Sequence, residues 1–394
     1  MNQTAFVNKV KQMRFKEAYE GYQAKRLSQT EAASLLGVCD RSFRRYIHQY
    51  NESDLEGLLD KRREQPSHRR APIDEVIELQ DLYSSRYLGW NVRHFHEWYK
   101  RDHSGQRSYS WVKHQLQSAN LVRTSKTRGP HRIKRLRRAL PGMMIHQDGS
   151  THQWVPDVYW DLIVTMDDAT NEHYSMRFVE EEGTHSSLVG VKEVLEVNGL
   201  FCSFYSDRGS HYWHTPEAGG KVDKTNPTQF GRAMKRLGID MIAAYSPEAR
   251  GRSERAFGTH QGRLPNELAL LGITDMTAAN KYLKGQYMPK FNQEFSHPAR
   301  EHGNAFVPLA GINLDDYLCE QVERVVGKDN SVQFQRLSLQ LPKDQHRYHY
   351  VKAKVVVSRH LDGTLSIDHG PRRLGQYTAE GVLIQDKEIK SKAA

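Results

Sequence analysis

Three acidic residues in the middle of the chain, Asp148, Asp207 and Glu254, have positions in which carboxylates can cooperate in catalysis. Asp148 ends the short apolar run MMIHQD, Asp207 ends the predicted strand that begins LFCSFY, and Glu254 lies one or two turns into a predicted helix. Strand ends and helix starts meet at one edge of an open α/β sheet, so we expect the three carboxylates to converge there. Taken one at a time, each could instead be a cap or turn residue.

The chemistry that uses such a triad is phosphoryl transfer with two divalent ions about 3.5–4 Å apart. One carboxylate bridges both ions and the others hold one ion each, and hard oxygen ligands suit Mg²⁺ or Mn²⁺. We therefore predict a two-metal active site in which Asp148, Asp207 and Glu254 are both the metal ligands and the catalytic residues. Asp167 and Asp168 are rivals for the first position, but they fall in the predicted turn DDATNE and are expected to be turn residues.

Glu254 stands in the arginine-rich stretch SPEARGRSERAFGTHQGRLPNEL, residues 246–268. A lone glutamate among arginines is usually part of a solvated salt bridge on a helix. Beside a metal site, however, arginines would neutralise a DNA backbone that approaches the ions. This second interpretation predicts DNA contacts by Arg250, Arg252 and Arg255.

The elements around these acids alternate between strand and helix. Strands are predicted at about 158–166, 173–180, 200–205 and 239–245, in addition to the run that ends at Asp148, with helices between the later ones. Such an order of elements indicates a layered α/β domain with a mixed sheet. Downstream, alternating apolar residues and a DG turn in residues 322–376 predict a small β-barrel that contacts DNA, bridges subunits or only caps the fold.

The N-terminal region predicts a helix-turn-helix. A helical pattern covers residues 7–26, and Ser28 followed by Glu31 is a capping box that starts a second short helix. Gly37 supplies the turn, and Asp40 can cap the next helix. In a DNA major groove this helix would present its polar side chains, although a plain helical hairpin with a charged face is the alternative. The predicted DNA contacts are Arg41, Arg44, Arg45 and His48.

Charge is concentrated in the first third of the chain. Residues 1–140 contain 28 Lys and Arg against 15 Asp and Glu, a net charge of +13, whereas residues 141–394 contain 29 against 32, a net charge of −3. Residues 73–122 predict a second helical unit, either DNA-binding or a spacer, and residues 123–140 form a basic linker without an acid that would follow phosphates. The DNA contacts predicted here are Lys113, Arg128, Arg132, Lys134 and Arg135.

Composition excludes several classes of protein. The three cysteines are widely spaced, which offers neither a disulfide framework nor a zinc motif. No apolar run approaches the roughly 18 residues that would span a bilayer, and the N-terminus has no apolar signal-peptide core. We expect a bacterial cytoplasmic protein, associated with the nucleoid, that has no membrane partner.

The motifs HQDGS, SDRGS and GRSERAF together resemble the integrase-type core of the DDE transposases of bacterial insertion sequences, and are most similar to the group labelled ISNCY. The resemblance covers residues 1 to about 375 and implies a ribonuclease-H-like catalytic core. Asp148 matches the first acid of the family, Asp207 the second and Glu254 the final glutamate. Two departures stand out: 46 residues separate Asp207 from Glu254, more than is common in integrases, and the zinc-binding domain of retroviral integrases is absent.

The resemblance implies a transposase that binds the terminal repeats of its element, hydrolyses a phosphodiester and directs the freed 3′ hydroxyl at target DNA. It implies two Mg²⁺ or Mn²⁺ ions per site and a dimer or higher oligomer assembled on double-stranded DNA. The alternatives are an inactive DNA-binding regulator and a metal-dependent nuclease without strand transfer. The expected organisation is a helix-turn-helix domain (1–60), a linker (61–72), a second helical DNA-binding domain (73–122), a basic linker (123–140), the catalytic core (141–300), a connector (301–322), a small β-barrel (323–376) and a tail (377–394).

Overall fold

A computed structural model describes residues 3–58, 70–124, 136–217, 220–245 and 251–384 of the chain. The chain divides into two compact units, Met1–Leu82 and Tyr83–Ala394. The division falls inside a single helix, α4 (Ile73–Arg86). The two units are described separately below.

The described residues 3–58 of the first unit form three α-helices, with the predicted turn between the second and third. The helices are α1 (Gln3–Gln23), α2 (Gln29–Leu35) and α3 (Asp40–Ser53), followed by a short 3-10 helix (Asp54–Leu58). The Ser28 side chain accepts a hydrogen bond from the amide of Glu31, and the Glu31 carboxylate accepts one from the amide of Ser28. This reciprocal pair confirms the capping box.

The turn between α2 and α3 departs from the prediction in one detail. Gly37 has a φ of 65°, the left-handed conformation expected of a turn glycine. The N-cap of α3 is Cys39, and Asp40 is already the first helical residue. Asp40 therefore contributes through its negative charge in the first turn of the helix rather than as the cap.

A helical bundle opens the second unit and is joined to the rest of it by buried polar contacts. It comprises the end of α4, α5 (Val92–Asp102) and α6 (Tyr109–Ser118). Nε2 of His94 lies 2.6 Å from Oε1 of Glu267, and both side chains are almost fully buried. The guanidinium of Arg263 donates to the carboxylates of Glu97 and Glu294 at 3.0 and 2.7 Å. These contacts hold the bundle in a fixed place against the helices that follow the sheet.

A five-stranded mixed sheet forms the centre of the second unit, as the sequence predicts. Its strand order is β3-β2-β1-β4-β5. The pairs β1–β2 and β2–β3 are antiparallel. The pairs β1–β4 and β4–β5 are parallel. The strands are β1 (Ile145–Val155), β2 (Val158–Asp167), β3 (His173–Val179), β4 (Ser203–Ser206) and β5 (Asp240–Ala243).

The first strand is longer than predicted. The apolar run MMIHQD predicts a strand that ends at Asp148, but β1 continues to Val155. Residues 149–155 pair with β2, from Gly149 with Ile163 onward, and a tight turn with Asp157 at a φ of 61° joins the two strands. Residues 149–153 are half-buried or exposed, so their side chains need not be apolar, whereas Trp154 and Val155 at the end of the strand are buried again in the core.

Helices cover both faces of the sheet. One apolar core contains Phe204 of β4 together with residues of α7 (Thr184–Asn198) and α8 (Gln229–Arg236). The other contains Leu162 and Val164 of β2 and residues of α9 (Gly251–Gln261), α10 (Leu264–Leu271), α11 (Met276–Tyr282) and α12 (Met288–Phe295). Burial on both faces explains why β2 is almost continuously apolar.

The C-terminal domain corrects one prediction. It contains a four-stranded antiparallel sheet of order β11-β10-β9-β6 and a separate hairpin of β7 and β8, so within the described residues no barrel is closed. The hairpin packs over the sheet through one shared apolar core but makes strand pairs only with itself, which leaves β6 and β11 as edges. The strands are β6 (Glu320–Val325), β7 (Ser331–Phe334), β8 (Leu337–Gln340), β9 (Lys354–Arg359), β10 (Leu365–His369) and β11 (Arg372–Tyr377).

Across the described part of the chain, no helix combines the length and apolar character that a transmembrane segment requires.

Candidate active site

Asp148 and Asp207 occupy equivalent positions on neighbouring parallel strands. The parallel pairing of β1 and β4 matches Ile145 with Phe204 and His146 with Tyr205, and each aspartate lies two residues beyond the second pair. Neighbouring strands are about 4.8 Å apart, so this register brings the two residues side by side where the parallel pairing ends. Asp148 is 7% exposed, and Asp207 is half-buried.

Local hydrogen bonds fix the turn that carries Asp207. Its Oδ1 accepts a hydrogen bond from the amide of Gly209 at 2.8 Å. A Cβ at residue 209 would lie only 3.0 Å from both that oxygen and the ring of His211. The motif SDRGSH thus packs a carboxylate and an imidazole against the backbone at the end of β4, which explains its glycine.

Glu254 lies in the first turn of α9, and its side chain is exposed. The helix contacts β1 beyond Asp148, where Nε2 of Gln261 donates to Oγ of Ser150 at 3.0 Å. Phe257, three residues after Glu254, is buried in the core on this face of the sheet. The fold therefore sets α9 beside the strand that carries Asp148, in agreement with the predicted position of Glu254 near the start of a helix.

The described residues contain no group of three or more His, Cys, Asp or Glu side chains close enough to hold a metal ion. Asp148 and Asp207 carry carboxylate oxygens, the donors that Mg²⁺ and Mn²⁺ prefer. Residues 246–250, which lead directly into the helix of Glu254, lie outside the described part of the chain. The chemistry of the aspartates fits a hard divalent cation, and Asp148, Asp207 and Glu254 as metal ligands stay a prediction.

Glu182, His211 and Tyr212, which were not predicted as site residues, lie close enough to the two aspartates to interact with their charges. Burial raises the pKa of Tyr212 well above its ordinary value, and the negative charges of Glu182, Asp207 and Asp148 raise it further. Oε1 of Glu182 lies 3.4 Å from Nε2 of His211. Three carboxylates that act on one buried hydroxyl create a local potential that attracts cations. The signal for this cluster was the pair His211-Tyr212 directly after SDRGS.

Asp168 lies in the turn between β2 and β3, as predicted, whereas Asp167 is the last residue of β2. The Asp167 carboxylate accepts hydrogen bonds from the amides of Gly142, Ala169 and Thr170 at 2.8–3.0 Å. Asp168 is fully buried.

Asp168 forms a buried ion pair with Arg252, one of the predicted DNA contacts. The Arg252 guanidinium donates to Oδ1 of Asp168, which also lies 2.7 Å from Nε2 of His146. Burial alone would raise the pKa of Asp168, but the hydrogen bond from His146 and the nearby positive charges hold this pKa well below its usual range. With its side chain 15% exposed, Arg252 connects the first turn of α9 to the sheet instead of facing solvent.

The structure places the other predicted DNA contacts as follows. The polar face of α3 is exposed on the side opposite the buried Phe43, and it presents Arg41, Arg44, Arg45 and His48. Arg255 is exposed on α9, and Lys113 is half-buried on α6. Five predicted contacts lie outside the described residues: Arg128, Arg132, Lys134, Arg135 and Arg250.

Comparison with known proteins agrees with this geometry. The family of winged helix-turn-helix domains matches residues 17–78. The protein y4bF of Sinorhizobium fredii, which carries the name of a transposase, is 28% identical over 348 residues, or 87% of this chain and 75% of that protein. The chain resembles insertion-sequence transposases. A second relative, the transposase for insertion sequence IS1202 of Streptococcus pneumoniae, is 27% identical over 236 residues, or 59% of this chain and 50% of that protein.

Two retroviral structures are also similar. The intasome of simian T-cell lymphotropic virus, solved in complex with PP2A regulatory subunit B56 gamma, aligns with a TM-score of 0.33 and 13% identity over 73% of this chain and 91% of that chain. The integrase catalytic core domain of HTLV-2, solved with magnesium as a dimer, aligns with a TM-score of 0.28 and 14% identity over 38% of this chain and 91% of that chain.

Proposed function

We propose that this chain is a DNA transposase, which binds the terminal repeats of a mobile element, cuts DNA at the element ends and joins those ends to target DNA. The observation that carries the proposal is the parallel pairing of β1 with β4, in which Asp148 and Asp207 each follow the last pair by two residues, in a chain that resembles insertion-sequence transposases. The mixed sheet with helices on both faces supports the ribonuclease-H-like core that the resemblance implies.

Asp148 and Asp207 would hold the metal, with Glu254 as the third ligand. Bound as a pair, Mg²⁺ or Mn²⁺ ions would activate the attacking water or 3′ hydroxyl and stabilise the leaving oxygen. The negative charge of Glu182, close to the aspartates, would favour cation binding at this edge of the sheet.

A buried hydrogen-bond network keeps Asp148 in place. The Tyr212 hydroxyl donates to Oε1 of Gln147 at 2.8 Å, and Nε2 of Gln147 donates to Oγ1 of Thr165 on the neighbouring strand at 2.8 Å. Gln147 directly precedes Asp148, so this network fixes the backbone that carries the first carboxylate. A carboxylate held in this way loses little conformational freedom when it engages a cation or a substrate.

Exposed arginines would bind the DNA. The polar face of α3 fits a major groove, and a groove-bound helix would place Arg41, Arg44, Arg45 and His48 near base edges and phosphates. Arg255 is exposed one residue after Glu254, where a scissile phosphate would approach. Because two element ends must be handled together, we propose a dimer or higher oligomer assembled on DNA, which mass photometry with and without the end duplex would detect.

The test uses a labelled duplex that carries the DNA flanking this gene, incubated with Mn²⁺. Asp148→Asn and Asp207→Asn should abolish cutting and joining but leave duplex affinity unchanged. Asp157→Asn is the matched control because Asp157 is exposed in the turn after β1, where its positive φ suits asparagine. This control should retain both activities.

Three other results would replace the proposal. Tight binding without cutting by the wild type favours the DNA-binding regulator. Cutting without joining favours the nuclease. Full activity in Asp148→Asn would remove this residue from the site, and Glu254→Gln, assayed in parallel, tests the third ligand in the same way.

A further inference from the structure

The loop 341–353, which connects β8 to β9 in the C-terminal domain, carries a fully exposed aromatic side chain. Tyr348, near its centre, has a relative exposure of 105%, the highest among the large hydrophobic residues exposed in the described chain. Tyrosine side chains usually bury most of their area in a core or an interface. A tyrosine in this position does nothing for the packing of the domain, so it is available to a partner.

The loop is anchored on both sides of Tyr348. The Asp344 carboxylate accepts hydrogen bonds from the hydroxyl of Tyr350 and, at 2.9 Å, from the amide of His346, and it pairs with Arg372 at 2.9 Å. Tyr350 itself is 3% exposed and belongs to the core of the domain. The exposure of Tyr348 therefore results from a conformation that neighbouring contacts fix, which lowers the entropy cost of binding through it.

Positively charged residues flank Tyr348 in the sequence. Residues 343–354 contain four Lys and Arg and one Asp, a net charge of +3, while residues 141–394 as a whole carry −3. The single acid, Asp344, is already paired with Arg372. All four cations are exposed: Lys343, Arg347, Lys352 and Lys354.

An exposed aromatic ring among cations is the combination that binds single-stranded nucleic acid, since the cations follow the phosphates and the ring stacks on a base. We infer that residues 343–354 contact DNA, and that Tyr348 stacks on an unpaired base at a cut or frayed end. This inference rests on the proposed function, which supplies such ends. DNA is favoured over an acidic membrane because the same chain carries a winged helix-turn-helix domain.

The experiment measures the affinity of the full-length chain, by fluorescence anisotropy, for two probes. One is a blunt end duplex, and the other is the same duplex with a short unpaired 3′ extension. Tyr348→Ala should weaken binding of the extended probe by about 5- to 100-fold, as expected for loss of one stacked base, and should change binding of the blunt probe little. Tyr348→Phe keeps the ring and should behave like the wild type.

Tyr159→Ala is the matched control, because Tyr159 is 65% exposed elsewhere, at the start of β2. It should leave both affinities unchanged.

Lys352→Gln together with Lys354→Gln should reduce the dependence of log K on log salt by about 0.7–0.9 for each phosphate that these lysines neutralise in the wild type. An unchanged salt dependence would overturn the phosphate contacts.

Equal effects of Tyr348→Ala on the two probes, or no effect on either, would overturn the stacking contact. Vesicles containing phosphatidylserine form a third probe, and Tyr348-dependent binding to them without any preference for the extended duplex would assign the loop to membranes instead. If the wild type binds no DNA at all, the proposed function fails first. If it cuts DNA but Tyr348→Ala keeps the preference, only this inference fails.

Discussion

Replacing Asp168 by asparagine should destabilise the core and misplace the start of α9. Asp168 is fully buried, and its carboxylate contacts Arg252 of α9 and, at 2.7 Å, His146 of β1. Its other oxygen accepts a hydrogen bond from the amide of Arg138 at 2.8 Å. A single side chain thus joins a strand, a loop and the helix that carries Glu254.

The size of the effect follows from burial. Removing one partner of a buried ion pair typically costs about 3–5 kcal/mol, because the other charge is left without compensation. The side chain of Arg252 is only 15% exposed, so water compensates little for the missing carboxylate. Asparagine still accepts a hydrogen bond, which places the expected loss in the free energy of unfolding near the lower end, at about 3 kcal/mol.

Urea denaturation followed by circular dichroism measures this loss. Asp157→Asn makes the same chemical change at an exposed turn, and its free energy of unfolding should remain within about 0.5 kcal/mol of that of the wild type. DNA cutting by Asp168→Asn, assayed under conditions where the variant is folded, should fall while duplex affinity is retained. If Asp168→Asn matched the wild type in both stability and cutting, the ion pair would neither stabilise the core nor position α9, and the reasoning would be refuted.

Three further predictions concern other parts of the chain. Burial and a hydrogen bond to the carboxylate of Glu294 raise the pKa of Glu97 to about 7. The folded state therefore holds this proton more tightly than the unfolded state does. The free energy of unfolding should fall as pH rises from about 4.5 to 7. Glu97→Gln should flatten that decline in urea titrations, whereas the exposed Glu301→Gln should keep it. Ser28→Ala removes the cap of α2 and should cost about 1 kcal/mol in the same assay, while Ser34→Ala, at an exposed position inside that helix, should cost nothing. Arg44→Gln should weaken duplex binding and lower its salt slope by about 0.9 if this exposed side chain contacts one phosphate, and an unchanged slope would count against α3 as the recognition helix.

Local signals were sufficient to predict much of the fold. The capping box at Ser28 and Glu31 needs residues only three positions apart, and the turn at Gly37 depends on the backbone of one residue. The order of strands and helices is longer in range, but it follows from the alternation of apolar patterns along the chain. These features could be predicted because each depends on the residues of one element and its ends.

The errors arose where pairing between strands, and not the composition of one strand, decides the structure. Polar residues after Asp148 concealed the continuation of β1, which is stabilised by its partner β2 and not by its own composition. The alternating pattern of the C-terminal region correctly indicated strands, but whether a sheet closes depends on hydrogen bonds between its two edge strands. In the described structure those edges, β6 and β11, remain separate.

The arginines around Glu254 show why composition alone cannot assign DNA contacts. In the sequence these arginines form one basic group, but on a helix they point in different directions. Ser253 and Phe257 mark the buried face of α9, and Arg255 lies on the solvent-exposed face. Arg252 lies at the edge of the buried stripe and meets Asp168, a residue 84 positions away that no local pattern connects to it. Among the described arginines of α9, one supports the fold and one is free to approach a phosphate. The net charge of the stretch therefore overstates the charge that DNA would meet, because the Arg252 guanidinium is paired with a buried carboxylate.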